Sequence, residues 1–426
     1  MNKKIFENKR TNETCIKIEH PSGLDIYVKP MENYASAYAL FGTKYGSINN
    51  RFKTDDEADF ITVPDGIAHY LEHKLFENED CDAFARFAKT GASANAYTSF
   101  DRTCYLFSAA DNIYESLEIL LDFVQAPYFT AETVAKEQGI IGQEIRMYND
   151  DPTWAVVFNM LKSVYHNHPV RIDIAGTVES IAEITPELLY KCYNAFYNLN
   201  NMVLSIAGNV DPERVIEICD KILKPTPDKG LKSEALPEPL DVVQKEIEVT
   251  SEVSIPLFNI GFKAVPEEGV KGLKAETETN LLLSLLAGPT STLFESLYAE
   301  GLINSTFSTE VFSGPGYFTS IMGGESRNPK EVQKRINAAI NDAQQNGMDM
   351  TEFESVKKAF YGGLIRDLNK AESYASNMIV SAFDGVSPYD AIEIIAQITP
   401  ADIEARLKRQ FDTEKSAISI VNPKVK

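Results

Sequence analysis

Ile67-Ala68-His69-Tyr70-Leu71-Glu72-His73-Lys74-Leu75-Phe76 contains two of the five histidines in a chain of 426 residues. With this composition, a histidine followed by an acid at +3 and a second histidine at +4 is expected only about 0.01 times, so the spacing is specific. On a helix turning about 100° per residue, His69, Glu72, His73 and Phe76 share one side, while Ile67, Leu71 and Leu75 lie opposite and can anchor to a core. Pro64 suits a first helical turn, and Asp65 favours the positive end of the helix dipole. Imidazoles at i and i+4 converge on one point, as two ligands of a tetrahedral zinc must, and Glu72 stands close enough to act on an activated water. The competing reading is a solvated helical face, on which Lys74 and Glu77 look exposed.

A catalytic zinc takes a third protein ligand and keeps a position open. The best supplier is Thr130–Tyr148, where Glu137 and Glu144 are seven apart and return to one helix face with Val134, Ile141, Ile145 and Tyr148. Carboxylates on an apolar face are costly unless a cation or hydrogen-bond donors compensate them. Gly139 and Gly142 weaken this helix by about 1 kcal/mol each, which close approach to another helix would explain. Taken alone, the stretch fits solvated acids about equally well.

The rest of the chain limits the function. A net charge of −21 disfavours binding to phosphate backbones or anionic lipid, so neither nucleic acid nor a membrane is an expected partner. The hydrophobic fraction of 44% is ordinary for a globular chain, and no apolar run approaches the ~18 residues that span a bilayer. The first ten residues do not read as a signal peptide. Cys15, Cys81, Cys104, Cys192 and Cys219 are odd in number and lack CxxC spacing, so a reduced, cytoplasmic protein is expected.

Thr185-Pro186, a helix-like stretch and Val203–Ala207 recur as Thr399-Pro400, a helix-like stretch and Ala417–Val421, shifted by 214 residues, about half the chain. Each Pro fits a first helical position and each Thr an N-cap. Pro225, Pro227, Pro237 and Pro239 mark a linker. The expected organisation is therefore α+β: a zinc-bearing domain over 1–224, a linker over 225–241, and a homologous domain without the zinc motif over 242–426. Each has a mostly antiparallel sheet backed by helices.

His-x-x-Glu-His is the inverted zincin motif. With glutamates 64 and 71 residues beyond His73, the chain resembles the pitrilysin, insulin-degrading and mitochondrial processing peptidase family. The resemblance continues through Gly91–Ser99, Asp101, Thr103, Tyr105, His168-Pro169, Gly176–Val178 and Ala207–Asp211. It implies two homologous halves enclosing a substrate chamber, with zinc held by His69, His73 and Glu144. It makes Glu72 the general base and Glu137 a carboxylate steadying a ligand histidine, both counted as catalytic. It places Asn95, Ala96 and Tyr97 on an edge strand that pairs with extended peptide.

One stretch departs from the family. Active members commonly carry Leu-Arg…Gly-Leu-x-Tyr in the second half, whereas Leu293–Asn304 puts Tyr298 at the Arg position and Asn304 at the Tyr position. The resemblance therefore implies a heterodimer whose homologous partner supplies the Arg/Tyr pair, with a homodimer as the alternative. Whether Tyr298 or Asn304 replaces that pair is open. The rival function is a non-catalytic peptide-binding or scaffold subunit, and zinc-dependent hydrolysis of a small non-peptide substrate ranks third. His166 and His168 read as structural, His20 as a surface turn residue, and Ser313–Gly316 and Gly323–Ser326 as turns rather than phosphate loops.

Overall fold

The computed structural model describes residues 1–79 and 81–424. The chain forms two compact units: Met1–Ile145 with Asp173–Glu234 and Ile365–Tyr389, and Arg146–Ile172 with Ala235–Leu364 and Asp390–Lys426. The units interleave along the chain and do not follow the expected halves.

The first unit holds β1 (Asn2–Asn8), β2 (Glu13–Glu19), β3 (Asp25–Pro30), β4 (Ala37–Thr43), β5 (Arg51–Lys53), β6 (Ile61–Thr62), β7 (Ser93–Thr98), β8 (Thr103–Ala109), β9 (Met202–Gly208) and β10 (Lys232–Ser233). Seven strands make one sheet in the order β1-β2-β3-β9-β4-β8-β7, antiparallel throughout except between β3 and β9. Every residue of β9 is buried, as in a strand covered on both faces, whereas β7 at the edge alternates exposed with half-buried. One side of the sheet carries α1 (Ile67–Leu75), α2 (Ala83–Thr90) and α3 (Ile113–Val124). The other side carries the helix Ala371–Asp384.

The second unit holds β11 (Glu246–Ser251), β12 (Leu257–Lys263), β13 (Ser308–Gly314), β14 (Tyr317–Glu325) and β15 (Ser416–Pro423). Their order, β11-β15-β12-β14-β13, repeats β3-β9-β4-β8-β7 strand for strand, with a parallel pair only between β11 and β15. The α+β reading and the repeat therefore hold. Thr185 and Thr399 cap their helices as expected, each accepting a backbone N–H, with Pro in the first turn of both.

The interleaving comes from two helices. α4 (Ala131–Asn149) runs into α5 (Pro152–Val164), and α5 lies on β12 and β15 of the second unit, while Ala371–Asp384 lies on β4 and β9 of the first. Both crossings need glycine. A Cβ on Gly42 would stand 2.6 Å from Ile379 Cδ1, and one on Gly261 2.4 Å from Met160 Sδ. The Pro-rich stretch is also ordered. β10 pairs with β5, and Glu238 accepts the backbone N–H groups of His166, Asn167 and His168 and pairs with the Lys263 ammonium. Among the described residues no helix is long and apolar enough to cross a membrane.

Candidate active site

The helix bearing the histidines starts later than Pro64. Its N-cap is Gly66 at φ 90°, where a Cβ would sit 2.3 Å from the Ala175 carbonyl oxygen, so close packing rather than proline sets the start. Ile67, Leu71 and Leu75 are buried as expected. Lys74 is not exposed: it is fully buried and its ammonium is paired with Glu77. α4 is fixed to α1 by the Tyr70 hydroxyl, which donates to the Val134 carbonyl. A Cβ on Gly139 would meet nothing within 4 Å beyond its own helix, so close helix approach does not explain it.

This arrangement brings His69, His73 and Glu144 together, with one donor atom of each within 4.8 Å of the others. Glu144 Oε1 lies 3.7 Å from His69 Nε2, and its Oε2 lies 3.6 Å from His73 Nε2. Those separations are too long for hydrogen bonds. A tetrahedral ion with bonds of about 2.0–2.2 Å spaces its donors about 3.3–3.6 Å apart, so the two separations stand at or just beyond that span, and two imidazoles with one carboxylate are a donor set that suits zinc. The imidazole centroids are 4.6 Å apart.

Glu137 accepts from His73 Nδ1 at 3.0 Å, which leaves Nε2 as the free ring nitrogen. His69 Nδ1 is buried with no partner among the described residues. Burial, with His73 nearby, holds the His69 imidazolium down at about 3. Burial would also lower His73, but the bond to Glu137 and the charges of Glu72, Glu137 and Glu144 outweigh it and raise the group. The bond to His73 keeps the Glu137 carboxyl below its ordinary range.

Glu72 is 8% exposed and accepts from Thr98 Oγ1 at 2.7 Å. Burial raises its carboxyl above the ordinary range against the pull of that bond. Thr98 also meets Thr103 Oγ1 at 3.2 Å, and Thr103 donates to the Tyr45 carbonyl at 2.9 Å. Thr98 thus ties the edge strand to the helix. The sequence analysis did not single out Thr98, although it lies in the Gly91–Ser99 stretch, directly after Tyr97.

Asn95, Ala96 and Tyr97 do lie on the edge strand β7. Because Thr98 faces α1, alternation puts Ala96 on that side and Asn95 and Tyr97 on the other. The Ala96 N–H, which β8 does not use, donates to Asn95 Oδ1 at 2.9 Å. In the second unit, Tyr298 is 54% exposed on Thr292–Ala299, and Asn304 bonds Glu325 and caps a turn at Thr306. His168 is structural, its Nε2 bonded to the Pro315 carbonyl oxygen. His20 is buried rather than a surface residue, bonded to Ser22 and Asp220.

Residues 63–178 match the model described as Insulinase (Peptidase family M16), and residues 183–360 match the one described as Peptidase M16 inactive domain. The chain is 42% identical over 426 residues to a Bacillus subtilis protein named uncharacterized zinc protease YmfH, covering 99% of each. This chain belongs to the M16 peptidase family. A Rickettsia felis relative, also named an uncharacterized zinc protease, is 27% identical over 94% of this chain and 96% of its own length. Among solved structures, an M16-like peptidase from Alicyclobacillus acidocaldarius superposes with a TM-score of 0.92 at 32% identity, covering 99% of this chain and 98% of that one. A protease from Helicobacter pylori shares the fold, with a TM-score of 0.83 at 20% identity over 96% of this chain and 99% of that one.

Proposed function

We propose that this M16 chain is the zinc-bearing subunit of a metallopeptidase that hydrolyses peptides or short unfolded polypeptides in the cytoplasm, with a homologous partner subunit. The observation that carries this reading is the convergence of His69, His73 and Glu144 beside the buried, hydrogen-bonded Glu72. His69, His73 and Glu144 would hold zinc, which when bound polarises a scissile carbonyl and lowers the pKa of water. Glu72 takes the proton from the attacking water and hands it to the leaving amine. Thr98 holds one Glu72 oxygen and so aims the other. Glu137 fixes the His73 ring so that Nε2 faces Glu144. The β7 edge would pair with extended substrate, whose backbone takes over the Ala96 N–H from the Asn95 side chain.

A partner is part of the reading because Leu293–Asn304 has neither the Arg nor the Tyr of active relatives, and an oxyanion donor supplies about 2.7–4 kcal/mol. The same gap motivates the second reading, a peptide-binding subunit without turnover. Co-purification from native cells, with metal analysis and peptide cleavage assays, separates the two. The first reading expects turnover when the partner is present; binding without cleavage in every combination favours the second. Glu72→Gln tests the base: zinc is retained and cleavage by the assembled enzyme is abolished. Unchanged cleavage refutes the assignment.

A further inference from the structure

The first unit has something the second lacks. The second sheet begins at β11, the counterpart of β3, so the β1–β2 hairpin is an addition that extends one sheet by two strands. β1 contributes little to the core: Asn2–Ile5 and Glu7 are exposed, Phe6 is half-buried, and only Asn8 at its end is buried. Ile5, at its centre, is 67% exposed. A seven-residue edge strand with an apolar centre is a template for pairing with another chain.

The direction of its free peptide groups follows from the turn. The Asn8 carbonyl accepts from Asn12 N–H at 2.8 Å, so the Asn8 peptide points into the hairpin. Alternation then turns the N–H and C=O groups of Lys3, Ile5 and Glu7 outwards, away from β2. Lysines on an edge usually deter pairing, yet here the sequence is self-complementary in one register. With two copies antiparallel and centred on Ile5, Ile5 faces Ile5, Lys3 faces Glu7, Lys4 faces Phe6 and Asn2 faces Asn8. A slip of two residues one way sets Lys4 against Lys4, and the other way sets Lys3 against Lys9, both repulsive. Lys4 already lies over the Phe6 ring at 4.5 Å within one chain, so it suits that neighbour. Lys3 pairs with Glu213 at 2.5 Å, but both are well exposed and such a pair is weak, leaving the ammonium able to bridge a second carboxylate.

We propose that the β1 edge is a self-recognition surface, joining two copies of this chain through antiparallel β1–β1 pairing centred on Ile5. One strand pair buries less than the ~1,200–2,000 Å² of stable complexes, so the dimer is weak and concentration-dependent.

Sedimentation of the full chain across the micromolar range tests this. Wild type shifts from monomer to dimer as concentration rises. Ile5→Pro removes an outward N–H without removing a β1–β2 bond, and raises the dimer Kd by about tenfold or more. Lys3→Glu and Glu7→Lys each weaken the dimer, and the double variant restores it to within about threefold of wild type. Should Ile5→Pro disturb folding, Ile5→Cys supplies an independent readout: mild oxidation links two copies through position 5, while the native thiols are buried or half-buried. A monomer at every concentration, a dimer indifferent to Ile5→Pro, a double variant as weak as the singles, or no position-5 cross-link overturns the proposal.

Discussion

Replacing Glu137 by Ala separates holding a ligand from being one. Glu137 meets the site through the 3.0 Å bond it accepts from His73 Nδ1. That bond fixes the ring and selects the tautomer with a lone pair on Nε2, the atom 3.6 Å from Glu144. Without it, His73 can turn and either nitrogen can carry the proton. Losing such a supporting acceptor typically costs 10–100-fold in metal affinity, or about 1.4–2.8 kcal/mol. Glu137→Gln keeps an acceptor oxygen and loses the charge, so its loss falls near the lower end. The assay is competition for zinc against a chromophoric chelator at neutral pH, with a thermal melt of the metal-free protein as a control for folding. The expected order of affinity is wild type, then Gln, then Ala. Equal affinity for all three, with intact folding, would refute the positioning role. A loss in Ala as complete as in His73→Ala would instead make Glu137 a ligand.

Thr98→Val removes the donor to Glu72 and should lower kcat of the assembled enzyme about tenfold or more with unchanged zinc content, while Thr98→Ser retains most activity; equal kcat in all three would break the link. Glu238→Gln removes the counter-charge of the buried Lys263 ammonium, which keeps its bonds to the Val164 and Pro239 carbonyls, and should cost about 3 kcal/mol near neutral pH in urea unfolding. Although burial raises the Glu238 carboxyl, Lys263 and three backbone N–H groups hold it down at about 2, below the ordinary 4.5, so its contribution is present above the ordinary value and lost as pH falls between the two; a gap between wild type and variant that ignores pH would contradict this. Gly42→Ala should destabilise by about 1–3 kcal/mol and by more than Gly261→Ala, because the added carbon meets both Ile379 and Cys104 at position 42 but chiefly the flexible Met160 thioether at 261; equal melting shifts would argue against it.

Helical periodicity made much of the site legible. His69, Glu72 and His73 share a face because four residues nearly close a turn, and Glu137 and Glu144 because seven nearly close two. What escaped the sequence depends on partners distant in the chain. The start of α1 is set by Gly66 against Ala175, a contact across about a hundred residues that local capping rules cannot see. Lys74 looks solvated as a lone charge and is buried because Glu77 meets its ammonium. The repeat was visible in Thr-Pro caps and in apolar strands, which are local patterns. The ownership of α5 and of Ala371–Asp384 was not, since an amphipathic helix does not state which sheet it covers. Gly42 and Gly261 mark the crossings, but a glycine in a strand reads equally well as a bulge or a weak point.

The electrostatics of the site argue for a cation independently of any relative. Glu72 and Glu144 stand close enough for Glu144 to push the Glu72 carboxyl further up, and Glu137 adds a third carboxylate on the same histidine. Against them are two imidazoles, one of which burial keeps neutral. Thr98 donates to Glu72 and His73 to Glu137, while the two Glu144 oxygens stand 3.7 Å from His69 Nε2 and 3.6 Å from His73 Nε2, beyond hydrogen-bond reach of either ring. A structural ion pair would have closed those gaps to the 2.7–2.9 Å of a charge-assisted bond. The two helices are instead held together by the Tyr70 hydroxyl on the Val134 carbonyl, with the three donors left within 4.8 Å of one another. On the proposed reading a divalent cation would offset the charge of this cluster, so stability of the fold would rise with occupancy of the site through the same carboxylates.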